Sequence, residues 1–292
     1  MTFNEGIRTD PNRVKTSRAT KGGAIGGIGG IVLLLIFMFT GQDFSGMLGG
    51  QSTAESSGMD LSHCTTGEAA NLYDECRMVA TAESLDAMWD ATLVEQTGVQ
   101  YVMPSFTVFQ GSVNTACGQA TSAVGPFYCP ADQGVYLDIE FFQVLETQLG
   151  AENAPLAQMY IVAHEWGHHI QNQLGYMDQV DSQQTGATSG AVRLELQADC
   201  LAGMWVRYGS STIDPESGQT FLQPPTEEEL RSALVAAGAV GDDRIQERTQ
   251  GRAIPETFSH GTSEQRMRWF ATGFDGGTVQ SCDTFAIPGS QL

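Results

Sequence analysis

The sequence is poor in positive charge. Its 292 residues carry 14 Lys and Arg against 34 Asp and Glu, a formal net charge of -20, and no lysine occurs after Lys21. So little basic surface leaves almost nothing to neutralise phosphates, which excludes nucleic acid as a partner. The acidic excess reads as a solvated surface rather than a binding site for a basic partner. No C-x-x-C occurs, and the chain beyond its first segments has no internal repeats and no nucleotide-binding glycine motif. The length allows one sizeable globular domain, whose chemistry must come from other side chains.

Arg8, Arg13, Lys15, Arg18 and Lys21 lie at the start, and the remainder of the chain carries scattered arginines only. Residues 22–41 then carry no charge, and about twenty residues at the helical rise span a hydrocarbon core of roughly 30 Å. Basic residues before this run and none soon after predict one transmembrane helix with a cytoplasmic N-terminus and an exterior remainder. A cleaved signal peptide is the competing reading, but no small-x-small cleavage site follows Phe39 directly. Gly22, Gly26 and Gly30, with Gly23 and Gly27, form small-residue faces through which such helices could self-associate. Residues 42–63, rich in Gly, Ser, Gln and Thr, read as a flexible tether. The expected division is thus a basic cytoplasmic N-terminus over 1–21, a membrane helix over 22–41, a linker over 42–63 and a folded domain over 64–292. His63 reads as an ordinary exposed histidine.

Six cysteines on the exterior side of that topology point to disulfides in an oxidising compartment. Six allow fifteen pairings, and the sequence does not decide among them; the pairing expected is Cys64 with Cys76, Cys117 with Cys129, and Cys200 with Cys282. Residues 66–98 show helical spacing in two pieces. Residues 101–109 are rich in β-formers, with Pro104 suggesting an edge strand or bulge. Residues 117–129 read as a loop turning at Gly125-Pro126, residues 134–138 as a short strand, and residues 139–149 as a helix. A strand near a catalytic helix could receive a peptide by β-pairing.

The chemistry begins at His164-Glu165-Trp166-Gly167-His168, an H-E-x-x-H. Apolar residues recur at helical spacing through Leu156, Met159, Ala163, Trp166, Ile170 and Leu174. Asn153 is the expected cap, Pro155 fits the first turn, and Gly175 is the expected stop. Residues four apart share a helix face, so His164 and His168 can present two imidazoles to one ion, with Glu165 beside them as a base. His169 points about 100° away and reads as packing or outer support rather than a ligand.

A third ligand should come from a second helix. Residues 188–208 provide one, with Thr188 or Ser189 as cap, and Glu195 and Asp199 four apart on one face. Two His, one Glu and an open fourth position suit catalytic zinc. Glu195 is assigned to the metal, and Asp199 to the free N–H of a ligating histidine.

HEWGHHIQNQLG followed by ELQADC resembles the Putative neutral zinc metallopeptidase family of bacterial membrane-anchored proteins. Further likenesses are residues 101–111 (YVMPSFTVFQG), 122–138 with GPFYCP, 241–246 (GDDRIQ) and 259–266 (SHGTSEQR), so that the resemblance covers about residues 64–274. It implies a single N-terminal membrane helix and an α+β, zincin-like domain, mostly helical with a small sheet. The wider zincins with a glutamate third ligand imply His164, His168 and Glu195 as ligands and Glu165 as base.

The mechanism expected is amide hydrolysis, in which zinc acidifies a water, Glu165 takes its proton and later delivers it to the leaving nitrogen. Charge developing on the carbonyl oxygen needs a donor besides the metal. His260 is the first candidate, with a structural role as its alternative; Tyr160, Tyr136 and Tyr176 follow. Thr226 with Glu229 opens another helix by a capping box. Asp242 and Asp243 are expected to meet an arginine, with a second cation as the alternative. The leading function is an exterior zinc endopeptidase on envelope proteins or peptides. The alternatives are a non-catalytic zinc scaffold, against which the intact Glu165 argues, and a zinc amidase on cell-wall peptides.

Overall fold

The structure, a computed structural model, describes residues 2–19, 55–56, 58–122, 124–181 and 184–292. Among the described residues there are eight α-helices, a five-stranded sheet and a two-stranded hairpin. After a short 3-10 turn at Pro11–Arg13 come β1 (Lys15–Ala19) and β2 (Glu55–Ser56), then α1 (Gly67–Leu72) and α2 (Asp74–Thr97). Strands β3 (Ser105–Gln110), β4 (Ser112–Thr115), β5 (Gly118–Thr121), β6 (Phe127–Cys129) and β7 (Gly134–Asp138) follow. The rest is helical: α3 (Phe141–Thr147), α4 (Pro155–Gln173), α5 (Gly190–Gly209), α6 (Glu227–Ala239), α7 (Asp242–Gln250) and α8 (Ser263–Phe274).

The sheet runs β2-β1-β3-β7-β6, with β1, β3 and β7 parallel and β2 and β6 antiparallel to their neighbours; β4 and β5 form the separate hairpin. Pro104 stands one residue before β3, where its missing N–H costs no ladder bond, so β3 occupies the centre of the sheet rather than an edge. Residues 117–129 hold β5 and β6 instead of one loop. All three disulfides join the expected partners, Cys64–Cys76, Cys117–Cys129 and Cys200–Cys282.

The amino end corrects the expected fold class. Among the described residues no helix is long and apolar enough to cross a membrane. The span expected over 22–41, its glycine faces and most of the proposed linker lie outside the described residues. Residues 2–19 are no separate tail. Phe3, Ile7 and Val14 are buried in the main core, and β1 pairs with β3 from Lys15↔Thr107 to Arg18↔Gln110. Residues 2–19 are thus part of the folded domain rather than a separate amino-terminal segment. One of the basic residues, Arg13, pairs with Asp86 at 2.5 Å.

Local chemistry sets the helices around the site. The α4 helix starts with Pro155 at its first turn and has no side-chain cap; Asn153 accepts instead from the Gln158 amide at 2.7 Å. Ser189 caps α5 through the Val192 amide, and capping boxes at Thr226 and Thr262 open α6 and α8. Helices α4 and α5 approach closely at Gly167, where a Cβ would lie 2.9 Å from the Ala198 Cα. Helices α5 and α8 meet through Gly203 and Gly273, each facing the other helix's backbone with no room for a side chain. Such contacts fix helix spacing to within a methyl group.

Candidate metal centre

Helix geometry brings His164 and His168 onto one face of α4, their rings 4.8 Å apart and nearly perpendicular. Glu195 reaches them from α5, with Oε2 3.2 Å from His164 Nε2 and Oε1 3.3 Å from His168 Nε2. All three side chains are buried. Both Nδ1 atoms are engaged elsewhere: His164 Nδ1 with Asp199 Oδ1 at 2.9 Å, His168 Nδ1 with Gln171 Oε1 at 2.8 Å. The Nε2 atoms therefore converge on Glu195.

The set fits a zinc ion. Three ligand atoms lie within 4.8 Å of one another, and two atoms each about 2.0 Å from a tetrahedral zinc are roughly 3.3 Å apart. His168 Nε2 and Glu165 Oε2 are buried polar atoms without a hydrogen bond, which a native interior tolerates where function requires it. The electrostatics agree. Burial disfavours the His164 imidazolium, yet Asp199 and Glu195 outweigh it and push its pKa up to about 10. Burial would raise Glu195, but His260, His168 and His164 hold it well below the usual carboxylate range. The centre thus favours positive charge between its ligands. The Glu165 carboxyl is raised, chiefly by burial. His63 with Cys64 and Cys76 also gathers ligand types, but both sulfurs are committed to a disulfide.

Asp199 is the hub behind His164. Its Oδ1 accepts from the Tyr160 hydroxyl at 2.5 Å, and Arg266 reaches Oδ2 through Nε at 2.8 Å and Oδ1 through a terminal nitrogen at 3.0 Å. Arg266 also stands 3.8 Å from Glu195. Sequence reasoning missed Arg266, because only the fold carries α8 under α5. It missed Gln171 too, although three residues past His168 is a readable helical neighbour. Gln171 donates to the Leu194 carbonyl at 2.6 Å and to Gln197 at 3.0 Å.

His260 is buried in the loop before α8. The aspartate expected to meet an arginine meets this loop instead. Asp242 Oδ2 accepts the amides of Ser259, His260 and Gly261 at 2.7, 2.6 and 3.0 Å, and Oδ1 lies 3.2 Å from His260 Nδ1. Burial would lower His260, but Glu195 and Asp242 outweigh it and raise it. Asp243 accepts from Ser263. The tyrosines weighed beside His260 are otherwise engaged: Tyr160 with Asp199, Tyr136 with Asp132 at 2.9 Å, and Tyr176 stacked on Phe285 with ring centroids 5.5 Å apart. His169 packs, bonding the Tyr128 hydroxyl at 3.0 Å and the Val102 carbonyl at 2.6 Å.

An H-E-x-x-H helix crossed by a second helix that supplies glutamate, inside an α+β fold, defines a centre able to hold a metal ion. The family model described as Putative neutral zinc metallopeptidase matches residues 7–285, and the chain belongs to that family. The Mycobacterium tuberculosis uncharacterised protein Rv2575 is 48% identical over 229 residues, covering 78% of this chain and 76% of its own. The Escherichia coli K12 uncharacterised protein YpfJ is 38% identical over 267 residues, covering 89% and 87%. No solved structure matches the chain.

Proposed function

We propose that this protein is a zinc-dependent peptidase that hydrolyses peptide bonds of proteins or peptides in an oxidising, extracytoplasmic compartment. The observation that carries the reading is Glu165, buried beside a two-histidine, one-glutamate set with one carboxylate oxygen free of any hydrogen bond. A purely structural site has no need of a base there, which disfavours a scaffold role. His164, His168 and Glu195 would hold the zinc, which supplies a Lewis acid that acidifies water and polarises a carbonyl.

The chain's own groups do the rest. Glu165 takes the proton of the attacking water and returns it to the leaving nitrogen. Asp242 holds the His260 imidazole by Nδ1 and favours its charged form, so that it can donate to the carbonyl oxygen as charge develops. Asp199 fixes the ring of His164, and Gln171 that of His168. Three disulfides support the oxidising compartment.

The test is a diverse peptide library incubated with the full chain, zinc-loaded, and read by mass spectrometry beside Glu165→Gln. Cuts that vanish on chelation and fall by about 10²–10⁴ in Glu165→Gln, the span of a lost general base, would support the peptidase. A folded, zinc-containing protein that cuts nothing would sink it.

A further inference from the structure

The N-terminal segment reaches the middle of the metal-binding motif. Trp166, between Glu165 and Gly167, is fully buried. Its indole Nε1 donates to the Tyr101 hydroxyl at 2.8 Å, and that hydroxyl donates to Asp86 Oδ1 at 2.6 Å. Asp86 in turn receives Arg13, Nε to Oδ2 at 2.5 Å and a terminal nitrogen to Oδ1 at 3.3 Å. The same guanidinium donates to the Pro104 carbonyl at 3.0 Å and lies 5.4 Å from the centroid of the Trp166 ring. Arg13 and Asp86 are largely withdrawn from solvent, with side chains 15% and 12% exposed. A paired guanidinium over an indole face binds it more strongly than in water. Phe106 also packs on Trp166, edge-on with centroids 5.5 Å apart.

Helix α4 is thus gripped on two sides. Gly167 rests against Ala198 of α5, and Trp166 is clamped by a residue that arrives before the first strand. Rotation of α4 about its axis would swing Glu165, His164 and His168 together, since all three project from it. The clamp and the Gly167 contact together remove that freedom.

We infer that Arg13 is a positioning residue for the metal centre, acting through Asp86, Tyr101 and Trp166 to fix the rotational setting of α4 and so the aim of Glu165. The inference rests on the peptidase reading for its kinetic test, but not for its metal test. Asp10 caps the Pro11–Arg13 turn through the Asn12 amide at 2.9 Å, and β1 follows directly in the sheet. Arg13 therefore belongs to a fixed backbone rather than a loose end. The N-terminal segment becomes part of the catalytic unit.

The variant to make is Arg13→Met with Asp86→Asn in the full chain. Methionine keeps an apolar stem on the indole, asparagine still accepts from Tyr101, and no buried charge is stranded. The expected result is a folded protein with its disulfides intact, kcat lower by about ten- to a hundredfold and KM within about twofold, as for a slightly misplaced base. Arg13→Lys, which retains a cation but not the fork, should recover part of kcat. Parental kcat in the folded double variant, or a loss confined to KM, overturns the inference. If the double variant fails to fold, Arg13→Lys decides alone: lowered kcat at unchanged KM supports it, parental kcat overturns it. Should the parent cleave no peptide, the peptidase reading falls by itself and zinc retention against a chelator decides. Retention about tenfold weaker in the double variant supports the brace; unchanged retention overturns it.

Discussion

His164 and His168 stand four residues apart on one helix, yet their outer nitrogens meet different chemistry. His164 leans on a carboxylate, Asp199, which Tyr160 and Arg266 hold in turn. Its support comes from another helix and carries charge of both signs. His168 leans on a neutral amide three residues along its own helix, and that amide is pinned by the Leu194 carbonyl and Gln197. A buried carboxylate makes an imidazole more basic but needs a counter-charge, and Arg266 supplies one to Asp199. An amide fixes the tautomer with no charge to compensate. One ligand is thus tuned electrostatically, the other geometrically.

The strongest way to break that contrast is to remove its counter-charge. Arg266→Met removes the guanidinium that pairs with Asp199 and stands 3.8 Å from Glu195, and losing one partner of a buried pair costs about 3–5 kcal/mol, or roughly 10 °C in Tm for a domain of this size. Bound zinc supplies positive charge to the same carboxylates. Thermal unfolding should therefore show a larger loss in chelator-treated protein than in zinc-loaded protein. Equal losses in the two forms would mean that Arg266 does not act as counter-charge to the ligands.

Next in size is the direct comparison of supports. Asp199→Asn keeps the shape and removes the charge behind His164, and should weaken zinc binding by roughly 10–100-fold in chelator competition. Gln171→Ala removes the neutral hydrogen bond behind His168, worth about 1 kcal/mol, together with the bonds that Gln171 makes to Leu194 and Gln197, and should weaken zinc binding by less than about tenfold. Comparable losses, or the reverse order, would erase the asymmetry between the two histidines.

The sequence made the centre legible where local rules apply. His164, Glu165 and His168 share a helix whose period is plain, and Glu195 and Asp199 repeat the spacing on a helix with its own cap. Long-range pairing was not legible. The basic residues and apolar run of the first 41 residues match an anchor by composition, whereas Lys15↔Thr107 pairing and the burial of Phe3 and Ile7 are tertiary events without a local signature. Arg266 and Asp242 show the same limit. Each is one charged residue among many until α8 and its preceding loop fold against α5.

A last contrast concerns what a buried carboxylate does without an arginine. Glu83, on α2, accepts the Asp10 amide at 2.7 Å. Burial pushes its pKa up to about 7, with Asp10, Asp214 and Glu216 adding repulsion. Asp199, paired with Arg266, is instead held below its usual range although burial opposes this. For Glu83 the folded state binds a proton that the unfolded chain has released. The penalty is therefore absent below the ordinary value near 4.5, grows as pH rises, and is complete above about 7. Glu83→Gln preserves the acceptor for Asp10 and abolishes the titration. It should leave Tm nearly unchanged at pH 4 and raise it at pH 8 by several degrees, corresponding to about 2 kcal/mol after discounting for partial exposure. A difference between variant and parent that stayed flat across that range would show that Glu83 is already well solvated. Its contrast with the arginine-paired Asp199 would then lose its physical basis.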